Sequence, residues 1–415
     1  MILNKLVLKS KGELVSGTVN ISGSKSISNR ALIIKNLSGS KIRFGNLSTS
    51  DDTNRIKFYL KFIDTCQSSN IPMIIDTQNA GTVMRFLSAY LAIQDGKWLL
   101  TGTERMKKRP IGDLVNAMIN MGAKITFTEE TDFPPLLIEG GKMFGGRVEV
   151  NPKKSSQFIS ALMMVGPYLE DGLDIILEKK PVSVPYIQMT AKLMKTFGID
   201  VNISARKISV PMGDYKLIEY NIEPDWSSAS YWYEVAALTN NSQIFMPDFS
   251  KNSLQGDSIV AEIFDKLGVE TIYQEDGVLI KSKKEFKSNF DFNFQDCPDL
   301  VPAVMAVCAA KGIELKISGV SHLKYKESDR IISMDEELTK IGCSIIRQGQ
   351  GFLLKPGKLV NKVEFNTHDD HRIAMSLAPL ALLIDIVTIN NPFVTIKSYP
   401  DFWDDMSKLK VFTTS

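Results

Sequence analysis

The chain has little of what metal and redox chemistry draws on: three histidines and four cysteines among 415 residues. Cys66, Cys297, Cys308 and Cys343 form no C-x-x-C pair, which excludes a zinc ribbon and a thioredoxin-type motif. Cysteines so scattered fit a reducing cytosol better than a disulfide scaffold. Charge of one sign is not in excess, since the formal net charge is +2, and this argues against bulk nucleic-acid binding. Long apolar runs are missing too. The most apolar late stretch, residues 377–389, contains Pro379 and Asp385 and is too short to span a bilayer. Met1-Ile2-Leu3-Asn4-Lys5 begins no signal-peptide h-region, so a cytoplasmic protein is expected. There is no G-x-x-x-x-G-K-[ST] loop for nucleotide hydrolysis and no G-x-S-x-G elbow for serine hydrolysis. His368-Asp369-Asp370-His371 has the types of a metal cluster, but a catalytic zinc site needs a third protein ligand and the one other histidine is His322.

What is present reads as a large globular α/β chain. Apolar residues make up 44% and charged residues 23%, enough for a sizeable core, and the length is that of two or three domains. A helical pattern ending in Gly and a strand recurs, with the glycines at Gly122, Gly198, Gly268 and Gly342, at intervals of roughly 70–76 residues. Each Gly is placed as a helix C′ residue. A second set of helix starts interleaves, at Ser24-Lys25-Ser26, Asn79-Ala80-Gly81, Ser155-Ser156-Gln157, Asp225-Trp226-Ser227, Cys297-Pro298-Asp299 and Asp369-Asp370-His371. This gives six copies of a β/α unit, each with two helices and a few strands, and hence two domains of three units. Periodicity alone leaves open whether helices or sheets face inward.

The chemistry-bearing residues gather at these helix starts: Lys25, Ser26 and Arg30; Gly81 and Arg85; Arg109; Ser155, Ser156 and Gln157; Asp299; Lys326, Glu327 and Arg330; His371 and Arg372. A single Ser or Asp there is ordinarily just a cap. Repeated Lys and Arg are not, because cations are disfavoured at a helix N-terminus unless an anion compensates. The set therefore points to a ligand with several negative charges, such as a phosphosugar-like acceptor with a phosphorylated small acid.

At this level of detail the chain resembles the 3-phosphoshikimate 1-carboxyvinyltransferase (EPSP synthase) family, from about Lys5 to Met406. The strings that carry the resemblance are Ser24-Lys25-Ser26-Ile27-Ser28-Asn29-Arg30, Asn79-Ala80-Gly81-Thr82-Val83-Met84-Arg85, Arg105-Met106-Lys107-Lys108-Arg109-Pro110, Ser155-Ser156-Gln157-Phe158, Ser227-Ser228-Ala229-Ser230-Tyr231, Lys326-Glu327-Ser328-Asp329-Arg330 and Asp370-His371-Arg372. Phe86 stands where members often carry Pro.

The resemblance implies a two-domain inside-out α/β barrel of six units. Residues 1–22 and 224–415 would form one domain, residues 23–223 the other, with the active site in the cleft between them. It implies transfer of the enolpyruvyl group of phosphoenolpyruvate to the 5-hydroxyl of shikimate 3-phosphate, in a monomer with no metal or organic cofactor, no membrane and no nucleic-acid partner. Lys25 would contact both substrates. Gly81, Arg109, Arg330, Arg372 and Lys397 would hold phosphoenolpyruvate. Ser26, Arg30, Ser155, Ser156, Ser183, His322 and Lys326 would hold shikimate 3-phosphate, and Gln157 would touch both. Asp299 would accept the hydroxyl proton and Glu327 would protonate the methylene carbon. The rivals are a sister enzyme acting on a UDP-sugar, which usually uses a loop cysteine in the first half where only Cys66 lies, and a non-catalytic anion-binding protein on the same repeats.

Overall fold

The computed structural model describes residues 5–10, 14–66, 71–216 and 218–414. The chain is mixed α/β and divides into two compact units. The first holds residues 1–23, 223–324 and 328–415, and the second holds residues 24–222 and 325–327. Each glycine of the repeat is left-handed as its position demands, with φ of 91° at Gly122 and Gly198, 99° at Gly268 and 81° at Gly342. No helix among the described residues is long and apolar enough to cross a membrane.

Among the described residues there are five four-stranded sheets, all with one pattern. Met73–Asp76, Gly96–Thr101, Lys124–Phe127 and Leu136–Gly140 illustrate it. The first two strands pair in parallel, the fourth pairs antiparallel with the second, and the third lies antiparallel on the outer side of the fourth. A parallel pair needs a crossover helix, supplied here by Gly81–Ala92. A second helix, Gly112–Asn120, joins the second strand to the third. The sheet of Phe144–Val150, Glu170–Leu177, Asn202–Ile203 and Lys207–Val210 repeats this in the second unit.

The first unit holds the other three sheets, and two of them borrow strands from the N-terminus. Lys5–Ser10 takes the fourth place beside Ile386–Asn390 and Phe412–Thr414. Ser16–Thr18 takes the first place, parallel to Gln243–Pro247. Residues 24–222 of the second unit are thus inserted in the crossover between Ser16–Thr18 and Gln243–Pro247.

The sixth repeat has helices but no sheet among the described residues. Lys25–Leu37 packs with Gly81–Ala92 and Ser156–Val165, as the first helix of a repeat should. The isolated parallel bridge between Gly45 and Asn221 stands where the first two strands would pair. Only seven positions separate the end of Asp51–Thr65 from Met73, too few for the two further strands and their turn. Six units were expected, and the structure gives five sheets and one helix pair.

Burial separates the two kinds of helix. Every residue of Gly81–Ala92, Trp226–Leu238 and His371–Leu377 is buried, and Val301–Lys311 is buried up to its last turn. A helix that is apolar all round belongs in a core. In the first unit Trp226–Leu238, Val301–Lys311 and His371–Leu377 pack on one another. Their starts are therefore fixed by the core of the unit.

One residue breaks that rule. Glu234 lies fully buried in Trp226–Leu238, neither carboxylate oxygen has a hydrogen-bond partner, and burial raises its pKa well above 4.5. The folded state therefore keeps a proton that the unfolded chain loses above pH 4.5, and stability falls as pH rises from there. Glu234→Leu is expected to gain about 1–3 kcal/mol near neutral pH, the cost of an unsatisfied buried polar group. Glu234→Gln is expected to flatten the pH dependence. Urea unfolding at several pH values checks both.

Candidate active site

The first unit builds its constellation at the starts of three helices. Asp370 caps His371–Leu377, accepting from Arg372 N at 3.0 Å. The same buried carboxylate accepts Arg330 Nε at 2.8 Å and Ser328 Oγ at 3.1 Å. Arg330 opens the helix Arg330–Thr339. Its Nη1 donates to Asp299 Oδ1 at 2.7 Å, and Arg372 Nη2 donates to Asp299 Oδ2 at 2.7 Å. Asp299 thus lies between two guanidiniums. It sits in the short 3₁₀ turn Pro298–Leu300 that leads into Val301–Lys311, at the start expected from the repeat. Tyr231 Oη accepts from Arg372 Nη1 at 3.4 Å. Nearby, burial and then the charge of Asp299 hold the Asp257 carboxyl far above the usual range, and Ser227 Oγ donates to it. His322 is buried and Lys397 half-buried, each in a 3₁₀ turn.

The second unit builds another. Arg109 is buried. It donates through Nε to the Tyr325 carbonyl at 3.1 Å and through Nη1 to the Asn79 carbonyl at 2.9 Å. Glu327 Oε1 lies 3.5 Å from Arg109 Nη1. Gly81 is required by close approach: a Cβ there would stand 2.5 Å from Arg109 Nη2. Arg85 braces the loop, donating to the Pro110 carbonyl at 2.9 Å. Burial and then the charge of Arg109 press its pKa well down, while Glu327 opposes them.

Lys25 Nζ pairs with buried Asp52 at 3.2 Å, and Ser26 is half-buried beside it. Ser155 caps Ser156–Val165 by accepting from Gln157 N at 3.2 Å, so Ser156 and Gln157 occupy the first turn. Ser183 precedes Val184–Thr196 in a left-handed conformation (φ 54°), a strained position for a residue with a Cβ. Lys326 is half-buried next to Glu327.

Arg30 is drawn inward. Its guanidinium donates to Thr190 Oγ1 at 2.7 Å, Ser160 Oγ at 3.1 Å and the Ser26 carbonyl at 2.8 Å, and lies 5.1 Å from the Phe86 ring centre. Burial lowers its pKa to about 10, which leaves it charged. It ties three helices together through these bonds, so Phe86 serves as a cation–π partner.

Three contributors went unread in the sequence. Arg105 donates to the carbonyls of Glu327 (3.0 Å) and Lys326 (2.9 Å), holding the backbone that carries Glu327. It stood inside a quoted string, but bonds to carbonyls leave no trace in sequence. Asp52 belongs to the capped start Ser50-Asp51-Asp52-Thr53, a signal that was available. Asp257 had no signal. The histidine cluster also sorts differently. His368 Nε2 lies 2.7 Å from Glu337 Oε1, Glu336 joins them, and Asp370 is taken up by arginine. Lys340 Nζ, 2.6 Å from Glu337, already compensates that carboxylate.

Fold and site together define a mixed α/β protein of repeated units whose helix starts hold arginines, lysines and two paired carboxylates. Comparison with known proteins narrows this. The family model for EPSP synthase (3-phosphoshikimate 1-carboxyvinyltransferase) matches residues 9–406. The chain is 40% identical over 398 residues to the 3-phosphoshikimate 1-carboxyvinyltransferase of Bacteroides fragilis, covering 95% of each chain. It is 35% identical to that of Vibrio cholerae serotype O1, covering 96% of this chain and 97% of the relative. The structure of EPSP synthase from Acinetobacter baumannii superposes with a TM-score of 0.78 at 22% identity, covering 99% of each chain, which shows the shared fold. The chain belongs to the EPSP synthase family, and it is an enzyme of that transferase class.

Gly81→Ala tests the built constellation directly. The methyl must displace the Arg109 guanidinium by about 1 Å to restore ordinary contact. The expected result is loss of the Arg109–Asn79 bond and about 1–2 kcal/mol of stability, read by a structure of the variant and urea unfolding.

Proposed function

We propose that Asp299 and Glu327 are the base and the acid of the family's reaction: transfer of the enolpyruvyl group of phosphoenolpyruvate to the 5-hydroxyl of shikimate 3-phosphate, yielding 5-enolpyruvylshikimate 3-phosphate and phosphate. The observation that supports this reading is the pairing of each carboxylate with arginine: Asp299 with Arg330 and Arg372, and Glu327 with Arg109. Arginines set this way suit a carboxylate and a phosphate on one small substrate.

In this reading Arg330, Arg372, Arg109, Lys397 and the backbone at Gly81 take phosphoenolpyruvate. An incoming anion competes with Asp299 for Arg330 and Arg372. A carboxylate between two guanidiniums accepts protons poorly, and one that has yielded them accepts better. Binding of the anion thus prepares the base. Ser26, Ser155, Ser156, Ser183, His322 and Lys326 take the acceptor, Lys25 and Gln157 reach both substrates, and Arg30 serves the acceptor while bracing helix starts.

The bond-making step follows. The 5-oxygen attacks C2 as Asp299 takes its proton and Glu327 delivers a proton to C3. The arginines hold both anionic groups through the addition. The tetrahedral intermediate then loses phosphate as the C2–O bond to it breaks, the C3 proton leaves, and the enol double bond is restored. The enzyme is read as a cytoplasmic monomer, a placement that its four unpaired cysteines favour.

Phosphate release from the purified protein, with both substrates and no added metal, tests the reaction. Release only with shikimate 3-phosphate as acceptor is expected; release with UDP-N-acetylglucosamine instead would reassign the enzyme. Glu327→Gln is expected to keep both substrates bound and lose about 100-fold or more in turnover. Near-normal turnover in that variant removes Glu327 from the proton transfer. Gly81→Ala is expected to raise KM for phosphoenolpyruvate by about tenfold or more while leaving acceptor binding unchanged.

A further inference from the structure

The repeat that lacks its sheet leaves a cavity of about 700 Å³ between Lys25–Leu37, the following loop and Asp51–Thr65. Lys35, Lys41, Arg43, Lys57 and Lys61 line it, against one carboxylate, Asp64, which already accepts from Asn36 Nδ2 at 2.9 Å. Its apolar lining is Leu32, Phe44 and Leu60, all buried, with half-buried Leu47. None of the five cations has an acidic partner within 4 Å among the described residues. Elsewhere on the surface such partners are common, as in Lys142–Glu170, Lys195–Asp200 and Lys207–Asp174. In a chain of net charge +2 this is a local concentration of positive charge.

Five like charges around one concavity repel each other, and an anion of matching charge relieves that repulsion. A single phosphate falls short of the excess. A chain of linked phosphates meets it, and the apolar lining accommodates an attached organic group. The concave, bounded shape suits a small molecule better than the extended stripe that tracks a nucleic-acid backbone.

We propose that this cavity binds an oligophosphate, either free or as the tail of a nucleoside triphosphate. None of its residues belongs to the catalytic constellations, so the site is separate from the transferase chemistry. It lies on the helix pair over which no four-stranded sheet is found among the described residues.

The test uses the full chain and calorimetric titration with inorganic triphosphate, ATP and orthophosphate, each repeated with saturating phosphoenolpyruvate and shikimate 3-phosphate. Triphosphate is expected to bind, to weaken with salt, and to be unaffected by the substrates. Tighter binding of ATP identifies the nucleotide as the natural form, and equal binding identifies the phosphate chain alone. The triple variant Lys41→Glu, Lys57→Glu, Lys61→Glu changes exposed side chains. It is expected to weaken triphosphate binding at least about tenfold while phosphate release from the normal substrates is unchanged. Unaltered binding in that variant, no binding at millimolar ligand, or displacement by the substrates each overturns the proposal. So does tighter binding of a short single-stranded oligonucleotide than of triphosphate.

Discussion

The carboxylate of Asp370 is the point on which the first unit's chemistry rests. It is fully buried, yet it meets Arg330 Nε, Ser328 Oγ and the backbone N–H of Arg372 at once. Those bonds join the start of one helix to the start of another. They also hold Arg330 so that its other terminal nitrogen reaches Asp299. A buried charge with one partner missing is costly, so this carboxylate fixes the Arg330 guanidinium and the backbone at Arg372 as a condition of its own stability. Glu337 extends the same logic one layer out. It is almost wholly buried and accepts from Asn366 N at 2.8 Å while facing His368, which anchors the strap that carries Asp370.

The repeated βαβαββ unit explains why such groups can be placed so closely. In each unit the first helices pack on one another as an apolar core, and their first turns are set by that packing, with little contribution from propensity. The starts of the second helices bring Arg109, Ser183 and Lys326–Arg330 into the same role. Function is therefore spread over many short segments, each held by its own repeat. A repeat can lose a piece without disturbing the others. The helix pair of residues 25–65 keeps Lys25 and Arg30 in place although no four-stranded sheet covers it.

Much of this was legible in the sequence, for reasons local to a few residues. Caps and C′ glycines obey rules that operate within one turn, so Ser155, Asp225, Asp370 and the four repeat glycines could be placed from their neighbours. The motif strings then supplied the candidate site residues. What escaped depends on contacts distant in sequence. The two guanidiniums on Asp299, the Arg105 bonds to two carbonyls and the inward turn of Arg30 are all tertiary facts. The sheet absent among the described residues is a different case: the short spacing from Thr65 to Met73 was present, and it agrees with an irregular first copy of the repeat.

The two kinds of positive charge in this molecule obey opposite rules. Arg109, Arg330 and Arg372 are buried, and each is neutralised by a carboxylate, whereas buried Arg30 keeps its charge on neutral hydrogen-bond acceptors. The partners are the same carboxylates that the proposed chemistry requires, so neutralising the arginines and storing the acid and base are one arrangement. Lys41, Arg43, Lys57 and Lys61 are exposed, water supplies most of their solvation, and they need no acid beside them. For the buried set a ligand must compete with Asp299 and Glu327, which favours ligands carrying matching carboxylate and phosphate groups. For the exposed set there is no such competitor, and affinity there rests on charge density and falls with salt. In the proposed readings the buried set is selective and the exposed set permissive, and burial makes the difference.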